Sequence, residues 1–214
     1  MSTETDKDKA YTPPWLVKNI CDYIGDGMRR KSVLDPGAGT GAFLKGVRDY
    51  APGVVGAIDI DPVAAASCGA LCGDFLAPLP LNWPPFDIIM GNLPFSTSAE
   101  HLERALSVAR ERVTVIMQAG RLQRTGRKWL KLWETAWPDR VLELGRVTFA
   151  SPDRDHGTGS AMADVSVYDF VKRGGSWVGR GEVRVMRTDG SIWPPLPQRD
   201  LAGLEALGHR ASHV

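Results

Sequence analysis

With 214 residues, 43% of them hydrophobic and 24% charged, the chain has the size and composition of one soluble globular domain with a full core. It holds no apolar run long enough to span a membrane, and its first ten residues are too polar for a signal peptide, so a cytoplasmic protein without membrane contact is expected. Its 26 basic and 25 acidic residues leave a net charge of +1, which excludes a uniformly basic chain and makes the local distribution of charge the informative quantity.

Met1 to Lys9 is a charged, apolar-poor leader, expected to be disordered. A helix is expected from Pro14 to Tyr23, capped by Thr12 and with proline in its first turn. Lys31 to Asp35 ends in a short apolar strand, followed by a glycine-rich turn and a helix reaching Tyr50. Val54 to Asp59 reads as a second strand, Pro62 to Cys68 as a helix, and Ala70 to Cys72 as a short third strand. Phe86 to Met90 is almost wholly apolar, the pattern of a strand covered on both faces. A helix from Ala99 to Ala109, a strand from Val113 to Gln118 and a helix from Lys128 to Trp137 continue the alternation. Val141 to Phe149 and Asp164 to Lys172 close it as two strands with no helical period between them. Such alternation implies an α/β domain over residues 10–173: a mostly parallel sheet, helices on both faces, and an antiparallel hairpin at one edge. The extension 174–214 is expected to be partly irregular, with a strand near Glu182 to Arg187 and a short helix near Leu201 to Leu207.

The first strand runs into Asp35-Pro36-Gly37-Ala38-Gly39-Thr40-Gly41. Glycines at alternate positions let the backbone turn tightly and approach a ligand where a Cβ would collide. The GxGxG spacing differs from the dinucleotide fingerprint, whose helix N-terminus receives a pyrophosphate. Asp59 ends the second strand one β-α-β unit later, where an acid can accept both hydroxyls of a ribose. Gly73-Asp74-Phe75 follows the third strand with an acceptor and an aromatic face for an adenine. Thr12-Pro13-Pro14 precedes these segments and can fold back over the far end of the same ligand.

In these residues the sequence resembles the class I S-adenosylmethionine (SAM)-dependent methyltransferases, specifically their amino-methyltransferase branch, over about Tyr11 to Val171. The resemblance implies a single-domain, Rossmann-like α/β methyltransferase fold with a seven-stranded, mostly parallel sheet, and SAM as the cofactor. By the same resemblance Asp35, Gly37, Ala38, Gly39, Gly41 and Phe43 cradle the methionine part of SAM. Asp59, with Ile60 beside it, binds the ribose, and Asp74 with Phe75 the adenine. Tyr11, Thr12 and Pro13 match the N-terminal SAM-contacting motif of the family.

Gly91-Asn92-Leu93-Pro94-Phe95 follows the fourth strand. The lone pair of an adenine amino nitrogen is delocalised into the ring, and two acceptors aimed at its hydrogens free that lone pair for attack. Asn92 offers a side-chain oxygen, Leu93 a backbone carbonyl, Pro94 stiffness, and Phe95 a face for stacking. The segment resembles the (N/D/S)PP(Y/F) motif of amino-methyltransferases, in which Asn92 also borders the cofactor. Leu93 departs from the proline of many DNA enzymes, and NLPF is closer to the NLPY or NIPF of ribosomal RNA adenine dimethylases. A cytosine C5 enzyme is set aside, because no cysteine lies near this loop.

Arg121, Arg124, Arg127 and Lys128 lie in a basic run without acids, expected to contact nucleic acid. Trp129, Trp133 and Trp137, at i, i+4 and i+8, are expected to pack inward. The loop Ser151 to Asp164, with Asp153, Asp155 and His156, loosely resembles the loop that borders the target base in phage-type adenine methyltransferases. His101, His209 and His213 form no constellation. No metal is expected, and Cys21, Cys68 and Cys72 read as small buried residues in a reduced setting. The expected activity is methyl transfer to adenine N6 in nucleic acid, DNA slightly before RNA. Without room for a recognition domain, a partner subunit is one source of specificity. The competing readings are a ribosomal RNA adenine methyltransferase, a protein glutamine-amide methyltransferase and a non-catalytic SAM-binding subunit.

Overall fold

A computed structural model describes residues 10–150 and 161–192. The expected leader, the target-base loop with Asp153, Asp155 and His156, the helix near Leu201, and His209 and His213 lie outside the described residues.

Helix α1 (Pro14–Ile24) buries Leu16, Val17, Ile20, Cys21 and Ile24 along one stripe. Pro13, in extended conformation, holds the position preceding the helix in place of Thr12, with no side-chain cap. Thr12 is buried instead beneath the site described below. Strand β1 (Ser32–Asp35) leads through the glycine turn to α2 (Ala42–Gly46), which tightens into a 3₁₀ turn ending at Tyr50. Strand β2 (Val54–Asp59) is followed by α3 (Pro62–Cys68), capped by Asp61, whose carboxylate accepts the Val63 and Ala64 N–H groups; such a cap contributes about 1 kcal/mol. Gly69, at φ 74°, ends α3 before β3 (Leu71–Cys72).

The next elements are β4 (Ile88–Asn92), α4 (Ser98–Val108), β5 (Arg112–Gln118), α5 (Arg127–Thr135) and β6 (Ala136–Trp137). Strands β7 (Arg140–Phe149), β8 (Ala161–Val171), β9 (Trp177–Val178) and β10 (Glu182–Val185) complete the described chain. The expected helix to Trp137 stops at Thr135 because Pro138 disfavours helical backbone before it, and Ala136–Trp137 pairs with Trp177–Val178 in a small second sheet.

The main sheet has eight strands, in the order β10-β7-β8-β5-β4-β1-β2-β3, not the expected seven. Only β8 runs antiparallel to its neighbours. The hairpin β7–β8 is therefore not the edge. β10 pairs with β7 and satisfies backbone groups that an edge would leave open, and Arg140 and Glu182 form an ion pair at 2.8 Å across that contact.

The alternation of Ile88, Ile89 and Met90 along β4 divides the core between the two faces of the sheet. Ile89 joins Leu102, Leu106, Val113 and Phe170 under α4 and α5, whereas Ile88 and Met90 join Leu16, Ile20 and Val33 under α1. Both faces being covered, the strand reads as a continuous apolar run. Cys21 is buried as expected, but Cys68 is half-buried and Cys72 exposed on the short edge strand. Among the described residues no helix is long and apolar enough to cross a membrane, and no cluster of three His, Cys, Asp or Glu side chains could hold a metal.

Candidate functional site

Strand β1 has β2 on one side and β4 on the other. The order in which the chain adds strands to the sheet therefore reverses at β1, and the loops leaving the carboxyl ends of the parallel strands β1 and β4 part to open a crevice. A cavity of about 770 Å3 fills this crevice, within the range of a cofactor pocket. Tyr11 and Thr12, Gly37, Ala38, Gly39 and Phe43, Asp59 and Ile60, Asp74 and Phe75, and Asn92 to Phe95 all line it. Three expected cofactor residues, Pro13, Asp35 and Gly41, do not.

Asp35 is buried behind the turn, where its Oδ1 accepts the Gly37 N–H at 3.2 Å and its Oδ2 has no partner. Burial pushes its carboxyl up to about 7; the Asp59 charge adds to the rise and the Gly37 N–H opposes it. Gly41 adopts φ 80° before α2, and a Cβ there would stand 2.6 Å from Cys68 Cβ, so it serves the packing of α2 against α3. Gly39, at φ 51°, faces the Tyr11 ring, which a Cβ would meet at 3.1 Å.

One carboxylate ties the glycine turn to the next loop. Asp59 Oδ2 accepts the Gly39 N–H at 2.7 Å and Oδ1 accepts the Asp61 N–H at 2.8 Å, which uses two of about four acceptor positions. Asp74 is exposed and accepts the Leu76 N–H at 2.8 Å. Phe75 is buried and stacks on His101, with ring centres 6.0 Å apart. His101 also lines the cavity, and its Nδ1 donates to the Thr97 carbonyl at 3.0 Å. Sequence reasoning missed this residue, because its aromatic partner comes from another loop and no spacing links the two.

The segment Ala10–Pro13 forms a strap over the site. Tyr11 exchanges backbone hydrogen bonds with Ala150 at the end of β7, at 2.9 and 3.2 Å. The Ala10 carbonyl accepts Asn92 Nδ2 at 3.0 Å. A carbonyl can only accept, so the amide of Asn92 turns its NH2 end to the strap, and its Oδ1 is left buried without a partner. The Leu93 side chain is 1% exposed and anchors the loop in the core, while its N–H donates to the Ile116 carbonyl at 3.2 Å. Pro94 and Phe95 are half-buried, and Phe95 rests edge-on against Phe149 at 6.1 Å between ring centres.

The basic run divides. Arg124, Arg127 and Lys128 are exposed, and Lys128 pairs with Glu100. Arg121 is buried, and its Nη2 donates to the Phe95 carbonyl at 3.2 Å. Trp133 stacks between Trp129 and Phe170, at 5.3 and 6.5 Å, and meets Trp137 edge-on at 5.8 Å, so the tryptophans pack inward.

This is the fold of SAM-dependent methyltransferases, whose solved structures it matches. A protein from Pyrococcus horikoshii proposed to be an RNA methyltransferase matches with a TM-score of 0.63 and 20% identity, over 80% of this chain and 91% of that one. A type I restriction-modification methyltransferase subunit from Streptococcus thermophilus matches with a TM-score of 0.61 and 14% identity, over 95% of this chain and 53% of that one. A dimethyladenosine transferase from Plasmodium falciparum matches with a TM-score of 0.54 and 16% identity, over 77% and 62%. The chain spans about half the length of the restriction-modification subunit. At these identities the likeness is one of fold. No protein-family model and no curated protein matches the sequence.

Proposed function

We propose that this chain is a cytoplasmic enzyme that transfers a methyl group from SAM to the N6 amino group of an adenine in nucleic acid. The observation that carries this reading is Asn92 Oδ1, a buried acceptor without a partner, in an amide whose orientation the strap fixes. A buried unsatisfied acceptor costs about 1–3 kcal/mol, and an incoming N–H donor removes that cost. An adenine amino group brings two such donors: one for Asn92 Oδ1, the other for the Leu93 carbonyl. Together these contacts favour the tetrahedral nitrogen that attacks. Asn92 is no base, and the proton released leaves to water. Phe95, braced by Phe149, supplies the face on which the base stacks.

The cavity residues fit SAM. The turn at Gly37 to Gly39 allows close backbone approach, Asp59 retains acceptor capacity for a ribose, and Phe75 with His101 offers an aromatic wall for an adenine. When bound, SAM supplies an electrophilic methyl group on its sulfonium. Pro13, Asp35 and Gly41 would act on it indirectly, by shaping the strap and the turn.

The names of the matched proteins support nucleic acid over a protein glutamine as the substrate. The loose sequence resemblance of residues 151–164 to phage-type adenine methyltransferases puts DNA slightly ahead of RNA in this reading. One of them is a subunit, which supports a partner that supplies target recognition. The test presents labelled SAM with duplex DNA, single-stranded DNA, ribosomal RNA and a glutamine peptide in separate reactions. Label in N6-methyladenine is expected. Label in the peptide, or in no substrate, would sink the reading.

A further inference from the structure

A second recess, of about 350 Å3, lies beside Phe95 and shares Phe95 and Ser96 with the larger cavity. Its wall includes Arg121, which is only 6% exposed. The guanidinium gives Nη2 to two neutral oxygens, the Phe95 carbonyl and the Gln118 side chain, and lies 5.3 Å above the Trp129 ring. Its Nε is buried without a partner. Among the described residues no carboxylate pairs with it.

That arrangement is costly. A buried charge is normally matched by an opposite one, because hydrogen bonds to neutral oxygens and a ring face offset only part of its lost hydration. Burial and the Arg124 charge depress the Arg121 pKa, but a guanidinium remains protonated at any physiological pH. Within the recess Lys128 neutralises Glu100, leaving Arg121 and Arg127 in excess. The missing component is an anion.

We infer that this recess holds a phosphodiester of the nucleic-acid strand, the linkage flanking the adenine received by Asn92 and Phe95, with Arg121 as its buried cation. The inference rests on the adenine reading above. A base taken out of its stack stays tethered by its two flanking phosphates, so one of them must lie close outside the residue against which the base stacks. Here that residue is Phe95, and the cationic recess adjoins it. Arg121 also holds the Phe95 carbonyl, so a bound phosphate and the orientation of the target loop are linked through one side chain.

The test uses the full chain with SAM and a fluorescent single-stranded oligonucleotide containing one adenine. The oligonucleotide is all-phosphodiester, or carries one uncharged methylphosphonate beside the adenine or at a remote linkage. For the wild type, neutralising a flanking linkage should weaken binding about tenfold, and a remote one should not. Arg121→Gln should bind the charged strand about tenfold more weakly, ignore the neutral flank, and lower the salt slope by about 0.7. Arg121→Lys should keep sensitivity to the neutral flank, and it decides the matter with the wild type if the Gln variant does not fold. Equal losses on charged and neutral strands would reduce Arg121 to a brace for Phe95 and overturn the inference, as would a wild type indifferent to the flank. Methyl transfer is measured in parallel. N6-methyladenine without flank dependence removes the phosphate site alone, whereas flank dependence without N6-methyladenine removes the adenine reading and leaves the site.

Discussion

Asp35 and Asn92 are both polar groups with an orphaned oxygen, and they differ in their surroundings. Asn92 Oδ1 borders a cavity that admits a donor, whereas Asp35 sits behind the turn, outside the cavity lining, and burial instead pushes its carboxyl up to about 7, which relieves the charge but not the missing hydrogen bond. Its folded-state pKa of about 7 lies above the ordinary value of 3.8, so between these values the folded chain binds a proton that the unfolded chain has released. Stability from this group is therefore greatest in acid and is lost as pH rises toward 7, with an upper bound of about 4 kcal/mol. Urea unfolding of the ligand-free chain and Asp35→Asn between pH 4.5 and 7.5 should show the variant gaining on the wild type as pH rises. A pH-independent difference would contradict the assignment. The place of Asn92 and the glycine turn beside the cavity was legible in the sequence, because each lies at the carboxyl end of a strand. The burial of Arg121 was not. A basic run reads as one exposed face, but the 3₁₀ turn over Arg121–Gln123 breaks the helical period and sends its first side chain inward.

Alternation of strands and helices located most elements, since a strand covered on both faces and an amphipathic helix have distinct periods. Two departures came from partners distant in sequence. Trp137 leaves α5 for a strand that exists only because Trp177–Val178 returns beside it, and β10 becomes the edge because β7 has backbone groups to satisfy. The ion cluster at the start of β5 was also invisible along the chain. Asp169 on β8 is fully buried and accepts Arg112 Nε and Nη2 at 2.8 and 2.9 Å, Thr114 Oγ1 at 2.8 Å and Tyr23 Oη at 2.8 Å, which joins α1, β5 and β8. Burial and the Asp169 charge push the Tyr23 hydroxyl up to about 12. Asp169→Asn keeps the shape but leaves Arg112 unbalanced, and should cost about 3 kcal/mol in urea unfolding. The cluster lies at the end of the sheet opposite the cavity, so SAM affinity by calorimetry should not change. A loss below about 1 kcal/mol, or weakened SAM binding, would show that the cluster acts otherwise.

For the molecule as a whole, a net charge of +1 leaves little long-range attraction for nucleic acid, so binding must come from a local patch. The three arginines of the basic run, Arg121, Arg124 and Arg127, have no carboxylate partner among the described residues, whereas Lys128 pairs with Glu100. Three phosphate contacts set a slope of about −3 for log affinity against log salt on duplex DNA. A slope near zero would remove phosphate contact, and one beyond about −6 would move the interface elsewhere. The cavity joins loops from β1, β2, β3 and β4 with the strap. Its composition was readable in advance because each loop follows a strand's carboxyl end, while His101 and the Ala10 hold on Asn92 needed the folded chain to appear. The most direct test of the proposed chemistry compares wild type with Asn92→Ala on one preparation of unmethylated nucleic acid, scoring N6-methyladenine by mass spectrometry of digested nucleosides and SAM binding by calorimetry. Loss of at least about a hundredfold in transfer, with SAM affinity nearly unchanged, is the expected result. Equal transfer by the two proteins would contradict a role for Asn92 Oδ1 in receiving the adenine.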